Sequence, residues 1–266
     1  MKKRIKSTLR LAGMYFRFNL ASAMEYRASF LTTAISMFLS NATFIFFWWV
    51  LFDNAGGDIG GYGFRDVMFI WAAGTSSFGL VNMVFGNISH LNEIIMTGQL
   101  DTYLLQPRNT LLSLMLSRTE FSAWGDMLYG LMLMLISGHG PADFGAYLLA
   151  VITGGLVTAA FTVILQSSSF FLGDSSFLAS MSVNLAVNFT TYPEGIFPGF
   201  IRFLLYWLVP AQFIVHVPLR IARGENVLIW LPLQLLATAF FVFIALRFFK
   251  AGLKRYESGN LIVTRL

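Results

Sequence analysis

The sequence has no cysteine, which excludes disulfides and thiolate metal sites and leaves the redox compartment open. Charge is also scarce: 12% of residues are Asp, Glu, Lys or Arg, where soluble domains carry roughly 25%. No GxxxxGK(S/T) phosphate loop occurs, so the chain does not cradle ATP in that way. HExxH is missing too. His90, His139 and His216 lie far apart, and only the last two are expected on one side of a membrane, a poor basis for a metal cluster. Serine runs such as QSSSFF (166–171) have no histidine close in sequence to act as a base. No polar stretch is long enough to bury a core of its own, and no internal repeat is visible. Residues 1–266 read as one domain.

What fills the chain is apolar side chain: 56% hydrophobic residues, 28 of them phenylalanine, and a mean hydropathy of +0.68. A soluble fold of this size could not hide so much, so the class is all-α integral membrane protein. The net charge of +5 then points to basic cytoplasmic loops, with no nucleic-acid partner. The opening MKKRIK resembles the start of a signal peptide. Arg10, Arg17 and Asn19 interrupt the apolar core such a peptide needs, so an uncleaved cytoplasmic segment is expected.

A membrane-spanning helix needs about 20 apolar residues. Five charge-free windows qualify, at 28–52, 67–92, 144–173, 175–193 and 226–246. A sixth, 127–142, is short. It reaches spanning length only if its helix starts near Leu114 and carries Arg118, Glu120 and Asp126. Residues 192–219 are apolar but hold Pro193, Pro198, Pro210 and Pro218 together with Arg202. Proline breaks helices, so two short helices that enter the membrane and turn back are expected there, buried in protein or lining a cavity. With six spans and the N-terminus inside, 14 of the 18 basic residues fall on the cytoplasmic side, leaving Arg65, Arg202, Arg220 and Arg223 outside. That asymmetry favours six spans with an extracellular re-entrant hairpin (192–225) before the last.

Three pieces invite a function. Residues 1–27 read as an amphipathic helix on the inner membrane face, carrying Arg17, Glu25 and Arg27; it is either an anchor or a lever touching a cytoplasmic partner. Within the loop 93–110, TGQLDTYLLQPRNTLL (97–112) is dense in turn formers. Gly98 permits a turn and Asp101 can cap a short helix. Leu100, Tyr103 and Leu104 share an edge at i, i+3, i+4 spacing. Pro107, next to Arg108, stops the helix, and Asn109 or Thr110 can cap the next one. The loop is either a tight connection or a stiff docking helix. The third piece is a polar set within the spans: Asn41, Asn82, Asn87, Asp126, Gln166, Asn184 and Asn188. Amides there ordinarily bond between helices. Asp126 costs more in lipid, and a protonated acid, an Arg118 partner or a substrate contact all remain open, with Asn41 and Asn184 as pathway companions.

EYRASFL (25–31), GQLDTYLLQPRN (98–109), and YPEGIFPGFIRFLLYWLVPAQFIVHVP (192–218) with the later GLKRYESGN resemble one known family. It comprises the permease subunits of ABC exporters of the ABC-2 type. The resemblance covers nearly the whole chain, and its strength lies in the order and spacing of the segments. It implies a bacterial inner-membrane permease with both termini cytoplasmic. It implies a pair with a second copy or a paralogue, driven by two separate ATPase subunits that bind ATP and Mg, with no cofactor on this chain. By the same resemblance, 100–105 is the coupling helix, the N-terminal helix a second ATPase contact, and the proline-broken hairpin an extracellular gate. The aromatic content of the first and last spans suits a drug- or lipid-like substrate, and export rests on the resemblance alone. The alternatives are an ion-gradient-driven secondary transporter, which should carry inverted repeats or several buried acids, and a lipid-modifying enzyme built on Asp126 and His216.

Overall fold

The structure, a computed structural model, describes residues 2–137, 140–196, 199–200, 203 and 209–257. Helix α1 (Lys2–Glu25) meets α2 (Arg27–Ala55) at Tyr26. A small antiparallel hairpin, β1 (Asp58–Ile59) and β2 (Tyr62–Gly63), leads into α3 (Phe64–Phe85), which a 3-10 stretch, Gly86–His90, joins to α4 (Leu91–Met96). Then come α5 (Asp101–Leu104), α6 (Thr110–Leu116), α7 (Ser122–Ile136), α8 (Pro141–Ser167), α9 (Ser169–Leu172) and α10 (Ser176–Thr191). A 3-10 turn (Glu194–Ile196), a π-helical stretch (Gln212–His216) and a short helix (Val217–Ala222) precede the last helix, Val227–Leu253.

Local chemistry sets several helix starts. Asp66 accepts the Gly63 N–H at 2.8 Å, and Asp143 accepts the Gly140 N–H at 3.1 Å beside Pro141. Each satisfies a donor left free by the helix, and proline tolerates the first turn because it has no N–H to lose. Asn109 caps α6 as expected, accepting the Leu112 N–H at 3.0 Å.

Among the described residues, four helical stretches are long and apolar enough to cross a bilayer: Arg27–Ala55, Phe64–Met96, Pro141–Leu172 and Val227–Leu253. The apolar windows of Phe64–Met96 and Pro141–Leu172 are 67% buried, against 17% for the other two, so α3 and α8 form the centre and α2 and the last helix the flanks. Helix α3 packs along α7 and α8, α2 packs along α7, and the last helix along α8. Leu31, Ile35, Leu39, Phe46 and Trp49 on one flank and Leu228, Leu236 and Phe243 on the other stay exposed. Apolar surface of that extent suits lipid contact.

The two remaining expected spans are shorter. Helix α7 has 15 residues and α10 has 16, so at 1.5 Å per residue each covers about 22–24 Å, less than the ~30 Å hydrocarbon core. The sixth window was expected as one helix from near Leu114. Instead, residues 117–121 separate α6 from α7. The cause lies across the interface. Where α3 gives way to the 3-10 turn, its last carbonyls lose their intrahelical partners. The Glu120 N–H donates to the Asn82 carbonyl at 3.0 Å, and the Thr119 hydroxyl donates to the Met83 carbonyl at 3.0 Å. A β-carbon on Gly86 would stand 3.0 Å from the Arg118 carbonyl oxygen, so a side chain there would push these two backbones apart by a few tenths of an ångström.

In the expected re-entrant region, Pro193, Pro210 and Pro218 are buried, and the described pieces are a 3-10 turn, a few helical residues near 199–203 and a continuous helical run over 211–222 that begins as the π-helical stretch. Pro198 and Arg202 lie outside the described residues.

Candidate functional site

A cavity of about 360 Å³ opens among α2, α3, α7, α8 and α10. Its polar heart is a hydrogen-bonded chain. The Trp71 indole N–H donates to Asn41 Oδ1 at 3.2 Å, and Asn41 Nδ2 donates to Asp126 Oδ1 at 2.8 Å. Asn41 is 4% and Asp126 9% exposed. Phe44 stacks on Trp71 with ring centroids 5.0 Å apart, which puts an aromatic face beside the amide. Asn82, Thr75, Thr158, Thr162 and Asn188 supply further polar wall. Asp126 and Asn41 are therefore direct partners, 85 residues apart in sequence. Asn184 is exposed outside the cavity wall; Asn188, one turn further along α10, lines it instead. Arg118, weighed as an Asp126 partner, pairs with Glu120 at 3.1 Å.

The turn-rich loop forms a second centre. Gly98 has φ +74°, a left-handed conformation that suits glycine, and α5 follows. Asp101 was expected as the helix cap, but Leu100 holds that position and no side chain caps it. The reason is that the backbone turns early, with the Asp101 N–H bonded to the Gly98 carbonyl at 3.3 Å. Asp101 instead interacts with Tyr256, beyond the last helix. Burial of the Tyr256 phenol, with the Asp101 carboxylate adding to it, raises its pKa to about 12. Leu100 is fully buried, whereas Leu105 is 87% exposed and Leu104, Pro107 and Arg108 are exposed beside it. The outward apolar tip is thus Leu104–Leu105; of the edge read from sequence, Leu100, Tyr103 and Leu104, only Leu104 is exposed. A buried Leu100 and an exposed Leu105 have the same hydrophobicity, so no sequence signal separates them.

Tyr103 faces inward. Its hydroxyl lies 3.0 Å from Ser117 Oγ, and Asn87 Nδ2 donates to Ser117 at 2.7 Å and to Tyr103 at 3.3 Å. Helix α1 reaches the same place: Asn19 Nδ2 donates to the Leu116 carbonyl at 3.3 Å and to Thr119 Oγ1 at 3.2 Å. Phe16 and Phe30 pack on Trp124 with centroids 6.1 and 6.0 Å apart. Arg17, Glu25 and Arg27 are exposed. The break at 117–121 is therefore the joint on which α1, α3 and α5 converge. Ile88 and Ser89, next to Asn87, line the cavity.

A third cluster was not singled out from sequence. Arg220 pairs with Glu194 and stacks on Trp230 at 4.6 Å, while Arg223 pairs with Asp66 at 2.7 Å and lies 4.7 Å over the Tyr62 ring. Burial works to raise the Glu194 carboxyl, but the Arg220 hydrogen bond and neighbouring positive charge hold it below its ordinary range. Burial and the adjacent Glu194 push the Tyr62 phenol up. These contacts tie the β-hairpin to both ends of the proline-rich region. Four charged residues at the edges of apolar runs were the available signal, though their pairing across as many as 157 residues was not.

A family model described as ABC-2 family transporter protein matches residues 38–259. None of the curated proteins compared with the chain matches it.

Proposed function

The chain belongs to the ABC-2 transporter family, and on that premise we propose that it is the permease subunit of an ATP-driven exporter, moving a hydrophobic or amphipathic substrate out of the cell. In this reading α7 and α10 complete a set of six spans, both termini are cytoplasmic in a bacterial inner membrane, and 192–225 forms an extracellular re-entrant gate. Two separate ATPase subunits, which bind ATP and Mg, seat against the α5 tip at Leu104–Leu105, with α1 as their second contact. A second copy or a paralogue completes the permease, and the surrounding lipid covers the exposed flanks.

One observation carries the reading: the Tyr103–Ser117–Asn87 hydrogen bonds connect an exposed apolar tip to the joint beside the cavity. Force applied at Leu104–Leu105 has a short, polar, directional route to the cavity floor. Closure of the ATPases would bias the joint between two arrangements and so the cavity between inward and outward access. No covalent chemistry is required of this chain. The test is reconstitution of the permease with its ATPase in liposomes, measuring substrate movement and ATP hydrolysis together. Transport that continues without nucleotide, driven by an ion gradient, would replace this reading with a secondary transporter.

A further inference from the structure

We infer that the cavity selects a lipophilic organic cation. This rests on the reading of the cavity as the substrate's path and adds the charge of what occupies it. Among the described residues the wall contains one carboxylate, Asp126, and no lysine, arginine or histidine.

The hydrogen bonds around Asp126 fix how it is used. The Trp71 indole can only donate, so the atom of Asn41 facing it is the carbonyl oxygen. The amide nitrogen is thereby turned toward Asp126, which must accept. An amide N–H donated to the carboxyl favours its ionised form. Its only side-chain partner among the described residues is this neutral amide. A buried carboxylate without a countercharge is costly, and a cation entering the cavity removes that cost. The aromatic pair of Phe44 and Trp71 offers ring faces that attract an organic cation, and the rest of the described lining is uncharged. The volume falls within the range of pockets that hold drug-sized molecules. An anionic headgroup would meet the Asp126 charge with nothing to offset it.

Two probes of nearly the same shape and opposite charge separate the possibilities: tetraphenylphosphonium and tetraphenylborate. Binding to the full chain in nanodiscs is measured against empty nanodiscs, with no ATPase present. Tetraphenylphosphonium should bind saturably and at least ten-fold more tightly than tetraphenylborate. Asp126→Asn should weaken it at least ten-fold, and Asp126→Glu should restore part of the loss. Equal or tighter binding of the borate, no saturable binding of either ion, or an unchanged affinity in Asp126→Asn overturns the inference. Displacement of the phosphonium by millimolar sodium would assign Asp126 to an inorganic cation and also overturn it. Because the ATPase is absent, failure of ATP-driven transport leaves this result standing and counts against the transport reading alone.

Discussion

The carbonyl of Asn82 accepts the N–H of Glu120 at 3.0 Å, so two helices that break in the same place satisfy each other's stranded backbone groups. Each break alone would leave backbone polar groups unpaired; together they pair them. Helix α5 and helix α1 both fasten to that joint.

If the joint carries the coupling, Tyr103→Phe and Ser117→Ala should each lower the amount of substrate moved per ATP hydrolysed. A hydrogen bond of this kind contributes about 1 kcal/mol, so a roughly five-fold loss is expected. ATP hydrolysis itself should persist. The double variant should lose less than the sum of the two, since the Tyr103–Ser117 bond is common to both while each also bonds Asn87. A transport-to-hydrolysis ratio unchanged in all three would show that the bonds only hold the loop in shape.

The exposure of Leu105 and the burial of Leu100 predict opposite phenotypes for one kind of change. Leu104→Asp with Leu105→Asp should leave the permease folded and abolish ATPase association, read by co-purification. Leu100→Asp places a charge in a fully buried site and should destabilise the chain by about 3 kcal/mol or more. Lost association together with a lowered melting temperature in the Leu104/Leu105 variant would sink the assignment of a docking tip.

The Arg220–Glu194 pair should behave as a latch. Removing one member of a largely buried pair strands the other charge, and Arg220→Ala should cost about 3 kcal/mol. The Glu194 carboxyl is held below its unfolded value of about 4.3, so its contribution is present above that pH and fades as the pH falls through the folded value. The melting temperature of the purified chain should therefore drop steeply below about pH 4. Glu194→Gln should lower it at pH 7 and flatten the acid limb; an acid limb of unchanged steepness would remove Glu194 from the account.

Topology is open to a direct test. With 192–225 re-entrant and extracellular, a cysteine introduced at Glu225 should react with an impermeant maleimide applied from outside intact cells. The chain has no other cysteine to confuse the readout. Labelling only after the cells are opened would mean that 192–219 crosses the membrane.

Much of the fold was legible because its signals are local. Charge-free windows located the apolar helices, Gly98 marked a turn, and Asn109 capped the helix after it. The capping role expected of Asp101 failed because the chain had already begun to turn at Gly98. The continuous helix expected from Leu114 failed because its interruption is imposed by another helix. Asp126 stood out as a costly group within a span, yet its partner could not be named, since Asn41 and five other amides looked alike in sequence.

The sequence by itself determined that this chain is helical, belongs in a membrane and carries a stiff turn-bounded helix. Those properties follow from composition, periodicity and residues acting within a few positions of themselves. Only the tertiary structure decided that Asp126 meets Asn41 rather than Arg118, that Tyr103 meets Ser117, and that Arg220 and Arg223 close over Glu194 and Asp66. Each of those pairs depends on the packing of separate elements, and the free energy that selects it exists only once the intervening chain has folded.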